Sequence, residues 1–210
     1  MQFSSPTTLC LTGVSQGGKT SYVIKLLQNK HQMFEHPVDR VLYIYAVWNE
    51  NFSEMEKKND IQFHQYLPSH DLLEKFISND NKHLIIVIDD LMQEVINSTE
   101  AQSLFVRDSH HKNITVIYIT QNIFCKGKFS RTIALNCHYY ILFRSPRDVN
   151  QIKIFARQTG LNSTLMEAYS DCVSRMYGYL VVDLSPRSEN SIKLFTNIFP
   201  SETLIGYISK

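Results

Sequence analysis

The chain has 210 residues, 43% hydrophobic and 20% charged, which is the composition of an ordinary globular protein able to bury a sizeable core. A formal net charge of +1 excludes a global basic field, so any nucleic acid has to be bound by local loops. Four cysteines, Cys10, Cys125, Cys137 and Cys172, include no CxxC pair, which favours reduced, buried thiols over a disulfide or zinc framework.

Neither a secretion signal nor a membrane anchor is expected. The first residues, MQFSSPTT, lack a basic region followed by a long apolar run, and the longest apolar stretch, Leu84 to Ile88, is too short to cross a bilayer. Together with the cysteine pattern, this predicts a protein of a reducing intracellular compartment that is not secreted.

Apolar runs of strand length alternate with segments of helical spacing, the pattern of a mostly parallel central sheet flanked by helices. The predicted strands, all expected to be central, are Thr8 to Thr12, Arg40 to Val47, Leu84 to Asp89, Ile114 to Thr120 and His138 to Phe143. The predicted helices are Lys19 to Asn29, Ser69 to Asn79, Glu100 to His110, Arg147 to Gln158 and Thr164 to Val173.

Other segments set the boundaries of these elements. Gly160 suits the end of the fourth helix, Thr164 with Glu167 predicts a capping box for the fifth, and the polar segment 49–60 predicts an exposed loop. Two apolar runs within 177–200 predict a hairpin or edge strands added to the sheet. We therefore expect a single α/β domain over 1–210, with a core at about 7–160 and a C-terminal helix and hairpin at about 161–210.

A glycine-rich segment after the first strand predicts a nucleotide site. Gly13, Gly18, Lys19 and Thr20 fit the phosphate-loop pattern GxxxxGK[ST], with a strand before it and helical spacing after it. Backbone N–H groups of such a loop surround phosphate oxygens, the lysine supplies a charge to the β and γ phosphates, and the threonine hydroxyl ligates magnesium. The predicted nucleotide-binding residues are Gly13, Val14, Ser15, Gln16, Gly17, Gly18, Lys19, Thr20 and Ser21.

An acidic pair follows the third predicted strand, at the sheet edge where the phosphates would lie. Asp89 is expected to hold magnesium, directly or through water. Asp90 is the candidate to activate the attacking water, with Glu94 as the reserve candidate. The alternative for Asp90 is a cap for the helix that follows.

The next strand brings Gln121 and Asn122 to the same edge. A neutral amide there can contact both the γ phosphate and the water, as a sensor of hydrolysis. The alternative for Gln121 is an amide that caps a turn. A strand inserted after the acidic pair is typical of ATPases that convert hydrolysis into motion, and the sequence lacks the N/TKxD motif that reads guanine, so ATP is favoured over GTP.

Four segments together resemble a known family. They are GVSQGGKT, LIIVIDDL, the block from Leu104 to Ile152 and the C-terminal segment 177–200. From about Gly13 to Pro200, the chain is similar to viral genome-packaging ATPases of the HerA/FtsK superfamily, of the poxvirus type also found in virophages, adintoviruses and Polinton (Maverick) elements. The phosphate loop is shared by many ATPases, whereas the block from Leu104 to Ile152 is far more specific.

The resemblance implies a P-loop ATPase fold of the ASCE type and a homo-oligomeric ring that uses ATP and Mg²⁺ to push double-stranded DNA into a capsid. It also implies capsid or other virion-assembly partners, and action in a cytoplasmic virus factory or the nucleus of the host cell, or in association with the virion. By position, the catalytic residues would be Lys19, Asp89, Asp90, Gln121 and Arg107, with Thr20 and Asp89 at the metal.

Arg107 lies where this group tends to carry an arginine, and as a finger into a neighbouring subunit's site it would make hydrolysis depend on assembly. The alternative is a surface arginine paired with Asp108.

A short basic loop is the candidate DNA contact. Lys126, Lys128 and Arg131 surround Gly127, and such loops suit backbone phosphates without demanding sequence. A loop that touches the neighbour's nucleotide, or one that is simply solvated, fits the same residues. Phe124 and Phe129 are expected to anchor the loop in the core rather than to stack on bases.

Two positions depart from the family pattern: Asp90 stands where many members have glutamate, and Phe195 where a second basic residue is expected. The alternatives to a motor are therefore a small P-loop kinase and a nucleotide-binding subunit with little or no hydrolysis.

Overall fold

In a computed structural model, residues 1–56, 61–77, 82–188 and 191–208 are described. They form one nine-stranded sheet in the order β3-β2-β4-β5-β1-β6-β7-β8-β9. The strands are β1 (Thr8–Thr12), β2 (Arg40–Tyr45), β3 (Ile61–Gln65), β4 (Leu84–Asp89), β5 (Ile114–Thr120), β6 (Tyr139–Phe143), β7 (Tyr179–Asp183), β8 (Leu194–Thr196) and β9 (Ile205–Tyr207).

The type of strand pairing changes once across the sheet. Pairing is parallel from β3 to β6 and antiparallel from β6 through β9. The carboxyl ends of six strands therefore meet at one edge, and β7 begins at that same edge because it runs opposite to β6. All five predicted strands lie inside the sheet, as expected.

The helices are α1 (Lys19–Gln28), α2 (Lys30–Met33), α3 (Phe52–Glu56), α4 (His70–Phe76), α5 (Met92–Asn97), α6 (Thr99–Ser103), α7 (Ser109–His111), α8 (Ser130–Leu135), α9 (Val149–Gln158) and α10 (Asn162–Val173). A π-helical turn, Leu104–Asp108, joins α6 to α7. Among the residues described, none of these helices is both long and apolar enough to cross a membrane.

Burial on both faces of the sheet explains why the sequences of the central strands are almost continuously apolar. Along β4, Ile86 and Ile88 pack into one hydrophobic cluster while Ile85 and Val87 pack into another, and all four are fully buried. Because neighbouring side chains of a strand point to opposite faces, a parallel sheet with helices on both sides needs apolar residues at every position. The predicted α/β class, with a mostly parallel sheet flanked by helices, is confirmed.

The prediction of an exposed loop over 49–60 was wrong in part. Helix α3 lies within it, and Phe52 and Met55 are buried against the sheet; residues 57–60 lie outside the described residues. The sequence analysis also missed β3 and α8. Strand β3 pairs only with β2 and is half exposed, so its sequence, IQFHQ, lacks the apolar run that marks the other strands.

The ends of several helices differ from the prediction. Helix α4 ends at Phe76, and 78–79 of the predicted helix lie outside the described residues. Gly160 does follow the end of α9, with a φ of 74°. The capping box was wrong, because α10 begins at Asn162 with no side-chain cap, which places Thr164 inside the helix. Of the two predicted alternatives for 177–200, a hairpin or edge strands, the antiparallel pair of β7 and β8 fits the hairpin, with 189–190 outside the described residues. The edge on this side of the sheet is formed by β9, which was not predicted.

Candidate nucleotide site

The phosphate loop connects β1 to α1 at the carboxyl edge of the sheet. A Cβ added to Gly13 would lie 2.7 Å from the Cβ of Phe143, so the loop can pass the end of β6 only with glycine there. Helix α1 begins without a side-chain cap and with no acidic residue in its first turn. Its first N–H groups and positive dipole end are therefore available to an anion.

Lys19 is held inside this loop. Its side chain is largely buried, and Nζ donates hydrogen bonds of 2.7 Å to the carbonyl oxygens of both Gly13 and Val14. Burial lowers the pKa of Lys19, while the nearby charges of Asp89 and Asp90 oppose that shift. Bound phosphates would add negative charge next to the amine and so favour its protonated form.

Asp89 ends β4 opposite the loop and is only 8% exposed. Its Oδ2 accepts hydrogen bonds from the Tyr43 hydroxyl at 2.8 Å and from the Thr20 hydroxyl at 3.1 Å. Burial raises the pKa of Asp89, and these two hydrogen bonds oppose the rise. A buried carboxylate beside a threonine hydroxyl is a donor set that suits Mg²⁺, a hard cation that prefers oxygen ligands.

Asp90 and Gln121 meet at the exposed side of the same edge. Gln121 Nε2 donates a hydrogen bond of 3.4 Å to Asp90 Oδ1. Asp90 has a φ of 58°, an unusual conformation for a residue other than glycine. Helix α5 has Leu91 at its N-cap position and no side-chain cap, so Asp90 does not take the capping role that was the alternative.

These residues surround one cavity of about 180 Å³. It is lined by Ser15, Gln16, Lys19, Thr20, Val47, Asn49, Phe52, Asp89, Asp90, Ile119, Thr120 and Gln121. The predicted lysine, threonine, acidic pair and glutamine are thus brought together. Glu94, the reserve acid, is exposed on α5 and does not line this cavity.

A family model described as poxvirus A32 protein matches residues 3–175. The chain belongs to the poxvirus A32 protein family. This confirms the resemblance to viral genome-packaging ATPases of the poxvirus type. The search of curated proteins found no match to this chain.

Solved structures that match this chain include three of low sequence identity. The cytoplasmic domain of the Thermomonospora curvata type VII secretion ATPase EccC is 12% identical, with a TM-score of 0.53 over 91% of this chain and 25% of that one. The cytoplasmic domain of EssC is 15% identical, with a TM-score of 0.46 over 69% of this chain and 32% of that one. The N-terminal domain of zonular occludens toxin from Neisseria meningitidis is 16% identical, with a TM-score of 0.40 over 68% of this chain and 79% of that one. This A32 family chain spans a quarter of the EccC structure, and that likeness shows the P-loop ATPase fold.

Arg107 lies apart from this cavity, in the π-helical turn. Its guanidinium donates hydrogen bonds to Asp108 Oδ1 at 3.1 Å and to Ser103 Oγ at 2.9 Å, and its side chain is 67% exposed. It lines a separate cavity of about 420 Å³ together with Glu74. The pairing with Asp108 agrees with the surface alternative, and a role in a neighbouring subunit's site stays a prediction.

The loop between β5 and α8 is exposed and carries Lys126 and Lys128, whereas Arg131 lies in the first turn of α8. Lys126, Lys128 and Arg131 are all exposed, and within the described part of the chain no carboxylate forms an ion pair with them. Phe124 and Phe129 are partly buried against the core, which confirms their expected anchoring role. DNA binding by this loop stays a prediction.

The sequence analysis missed several residues of the site. Tyr43 reaches Asp89 from β2, and Val47, Asn49 and Phe52 line the cavity from the segment that follows β2. A tyrosine within the apolar run VLYIY was the available signal for Tyr43, but its partner depends on β2 lying next to β4. That strand order cannot be read from the residues of β2 alone.

Proposed function

We propose that this chain hydrolyses ATP with Mg²⁺ to translocate double-stranded DNA, as the motor that packages a viral or virus-like genome into a capsid. Membership of the A32 family supports the packaging role. The observation that carries the chemistry is the contact between Thr20 Oγ1 and Asp89 Oδ2, beside a helix N-terminus that has no side-chain cap. It joins the predicted phosphate loop to the predicted metal carboxylate across a single cavity.

Each polar group around the cavity then has a distinct task. Lys19 and the first N–H groups of α1 bind the phosphates, and Thr20 and Asp89 hold the metal. Mg²⁺, when bound, neutralises charge that develops on the β and γ phosphate oxygens. The burial of Asp89 suits this task, because a desolvated carboxylate gains most from a cation.

Asp90 and Gln121 orient and activate the water that attacks the γ phosphate. Asp90 accepts a proton from the water as its oxygen attacks the γ phosphorus and the bond to the β–γ bridging oxygen breaks. The Gln121 amide donates to Asp90 at 3.4 Å, so it can orient the carboxylate and the water together. A residue that contacts both groups also responds when the phosphate leaves, which suits the sensor role.

A translocating motor also needs DNA and neighbouring copies of itself. We assign DNA contact to Lys126, Lys128 and Arg131, and an arginine finger acting between subunits of a homo-oligomeric ring to Arg107. Capsid or other virion-assembly proteins would be the remaining partners.

The test is the rate of phosphate release by the purified oligomer, with and without double-stranded DNA, measured alongside its native mass. We expect DNA to stimulate release. Lys19→Ala should abolish productive ATP binding, and Asp90→Asn should lower turnover by roughly 10² to 10⁴ while ATP still binds, as for loss of a general base.

Glu94→Gln is the matched control, since it removes an exposed carboxylate one helical turn away and should leave turnover unchanged. ATP binding without phosphate release from the wild-type oligomer, even with DNA, would contradict the motor and favour a nucleotide-binding subunit. Phosphoryl transfer to a nucleoside would favour a kinase.

A further inference from the structure

An exposed tyrosine lies against the start of α1, on the side away from the metal carboxylate. A Cβ added to Gly18 would lie 3.1 Å from Tyr177 Cδ1 and 3.5 Å from Tyr177 Cβ, so the tyrosine contacts the end of the phosphate loop. Its side chain is nevertheless 64% exposed. One edge of the ring is therefore fixed by the loop while much of its surface is available to a ligand.

The turn that carries Tyr177 is constrained at both ends. Tyr177 has a φ of 58°, in the left-handed region that an aromatic residue rarely adopts. At the next position a Cβ would lie 1.9 Å from the carbonyl oxygen of Cys172, so only glycine fits, and Gly178 N donates to Arg175 O at 3.1 Å. An unfavourable backbone conformation persists where the surrounding structure imposes it, and such residues cluster at ligand sites.

The order of the strands places this ring at the end of the nucleotide opposite the γ phosphate. Asp89 lies on β4, two strands to one side of β1, whereas Tyr177 directly precedes β7, two strands to the other side. A nucleotide whose terminal phosphates lie between Lys19 and Asp89 would cross the start of α1 with its base directed toward β6 and β7.

The size of the cavity agrees with this placement. At about 180 Å³ it is smaller than the roughly 300–1,000 Å³ of ordinary small-molecule sites. It suits the terminal phosphates and a metal, and leaves the base to be bound elsewhere. Tyr177 does not line it, and neither do other residues of the turn before β7.

We infer that the ring of Tyr177 stacks on the base of the bound nucleotide. The inference rests on the proposed nucleotide site and adds to it the contact that binds the nucleoside part. An aromatic ring gains from stacking on any base, so this contact supplies affinity and orientation rather than a choice between adenine and guanine.

Binding of ATP and of inorganic triphosphate, measured by calorimetry on the full chain, tests this assignment. Tyr177→Asn removes the ring but keeps a residue that tolerates positive φ. We expect it to weaken ATP binding roughly tenfold or more, as for loss of one stacked base, while triphosphate binding stays unchanged. Tyr177→Trp should retain the affinity for ATP.

Met176→Ala is the matched control, because it shortens the neighbouring side chain of the same turn, which is 85% exposed, and should change neither affinity. Unchanged ATP binding in Tyr177→Asn would overturn the inference alone, as would an equal loss for ATP and triphosphate, since the ring would then only support the loop. Failure of the wild-type chain to bind either ligand would overturn the proposed nucleotide site itself.

Discussion

Asp89 carries its carboxylate in a nearly closed environment, and two hydroxyl groups compensate for the lost water. Burial raises the pKa of Asp89, and the hydrogen bonds from Tyr43 and Thr20 act against that rise. If Thr20 binds the metal as proposed, Tyr43 keeps its hydrogen bond to Asp89. The buried ring of Tyr43 packs on Phe52 and Phe63. In the proposed metal site, Tyr43 would therefore act as a positioning residue for Asp89.

Tyr43→Phe tests this role by removing one hydroxyl. The Tyr43 hydrogen bond lowers the pKa of Asp89, so its loss raises that pKa and protonates the carboxylate at higher pH. We expect the acid limb of the pH–rate profile to move to higher pH, and Mg²⁺ affinity to fall about tenfold, as for other residues that orient metal ligands.

Tyr45→Phe is the control, because Tyr45 lies in the same strand and is the register partner of Asp89, but among the described residues its hydroxyl forms no hydrogen bond with that carboxylate. If both variants leave the acid limb where it is in the wild type, Tyr43 only fills space in the core.

The site residues that belong to a sequence motif could be predicted from the sequence. Those that reach the site only because of which strands are neighbours could not. Lys19, Thr20 and Asp89 were placed from spacing and from strand ends, and the structure brings them to one cavity. Tyr43 and Tyr177 act on the site from elements whose neighbours are set by the order of the sheet, which is a property of the whole chain.

At the scale of elements, the connection from β5 to α8 is an exposed basic loop fixed to α5. A Cβ on Gly127 would lie 2.5 Å from Ile96, so the loop packs closely on the helix there. Phe129 N donates to Ile96 O at 2.8 Å, and Lys128 N donates to Asn97 Oδ1 at 3.4 Å. The two lysines are thus presented on a supported backbone, which lowers the entropic cost of binding a polyanion.

Lys126→Ala combined with Lys128→Ala should weaken binding of double-stranded DNA uniformly across sequences. Each lost phosphate contact lowers the slope of log K against log salt by about 0.9, so the double variant should lose up to about 2 from that slope. A salt titration of DNA affinity measures both effects.

Lys153→Ala with Arg157→Ala on α9 removes the same charge from another exposed surface and is the control. If the two double variants behave alike, general charge rather than this loop attracts DNA.

Long buried elements were predictable from the sequence, and short or half-exposed ones were not. Strands β1, β4 and β5 begin and end where predicted because both faces are buried and their residues, apart from Asp89 at the end of β4, are apolar, aromatic or small. Strand β3 was missed because an edge strand needs fewer apolar residues, and α8, with six residues, is too short to show a helical period.

At the scale of the whole molecule, the role proposed for Arg107 predicts that hydrolysis requires assembly of several copies of the chain. Arg107 lies outside the nucleotide cavity of its own chain. Its side chain is 67% exposed but is hydrogen bonded to Ser103 and paired with Asp108, whose side chain is only 9% exposed. A role between subunits requires Arg107 to leave these partners, and Asp108 would then keep its contacts with Ser103 and Lys112.

Arg107→Ala should leave ATP affinity and stability nearly unchanged and should lower turnover of the oligomer by roughly 10³ or more, as for loss of an arginine finger. Turnover measured across a dilution series, with native mass at each concentration, separates the assembled state from the monomer. An equal loss in isolated monomers would remove the role between subunits.

That residues 1–210 act as one domain remains a prediction.

The position of β1 in the sheet also determines when, during synthesis, the chain could first bind a nucleotide. Among the nine described strands β1 is synthesised before the others, yet its partners are β5 and β6, which end at Thr120 and Phe143. A nascent chain therefore carries the complete phosphate loop long before the strand that supports it has a partner, and closing so long a loop is slow. Until then β1 is an unpaired apolar strand, prone to aggregation, so nucleotide binding during synthesis would report that most of the chain has folded.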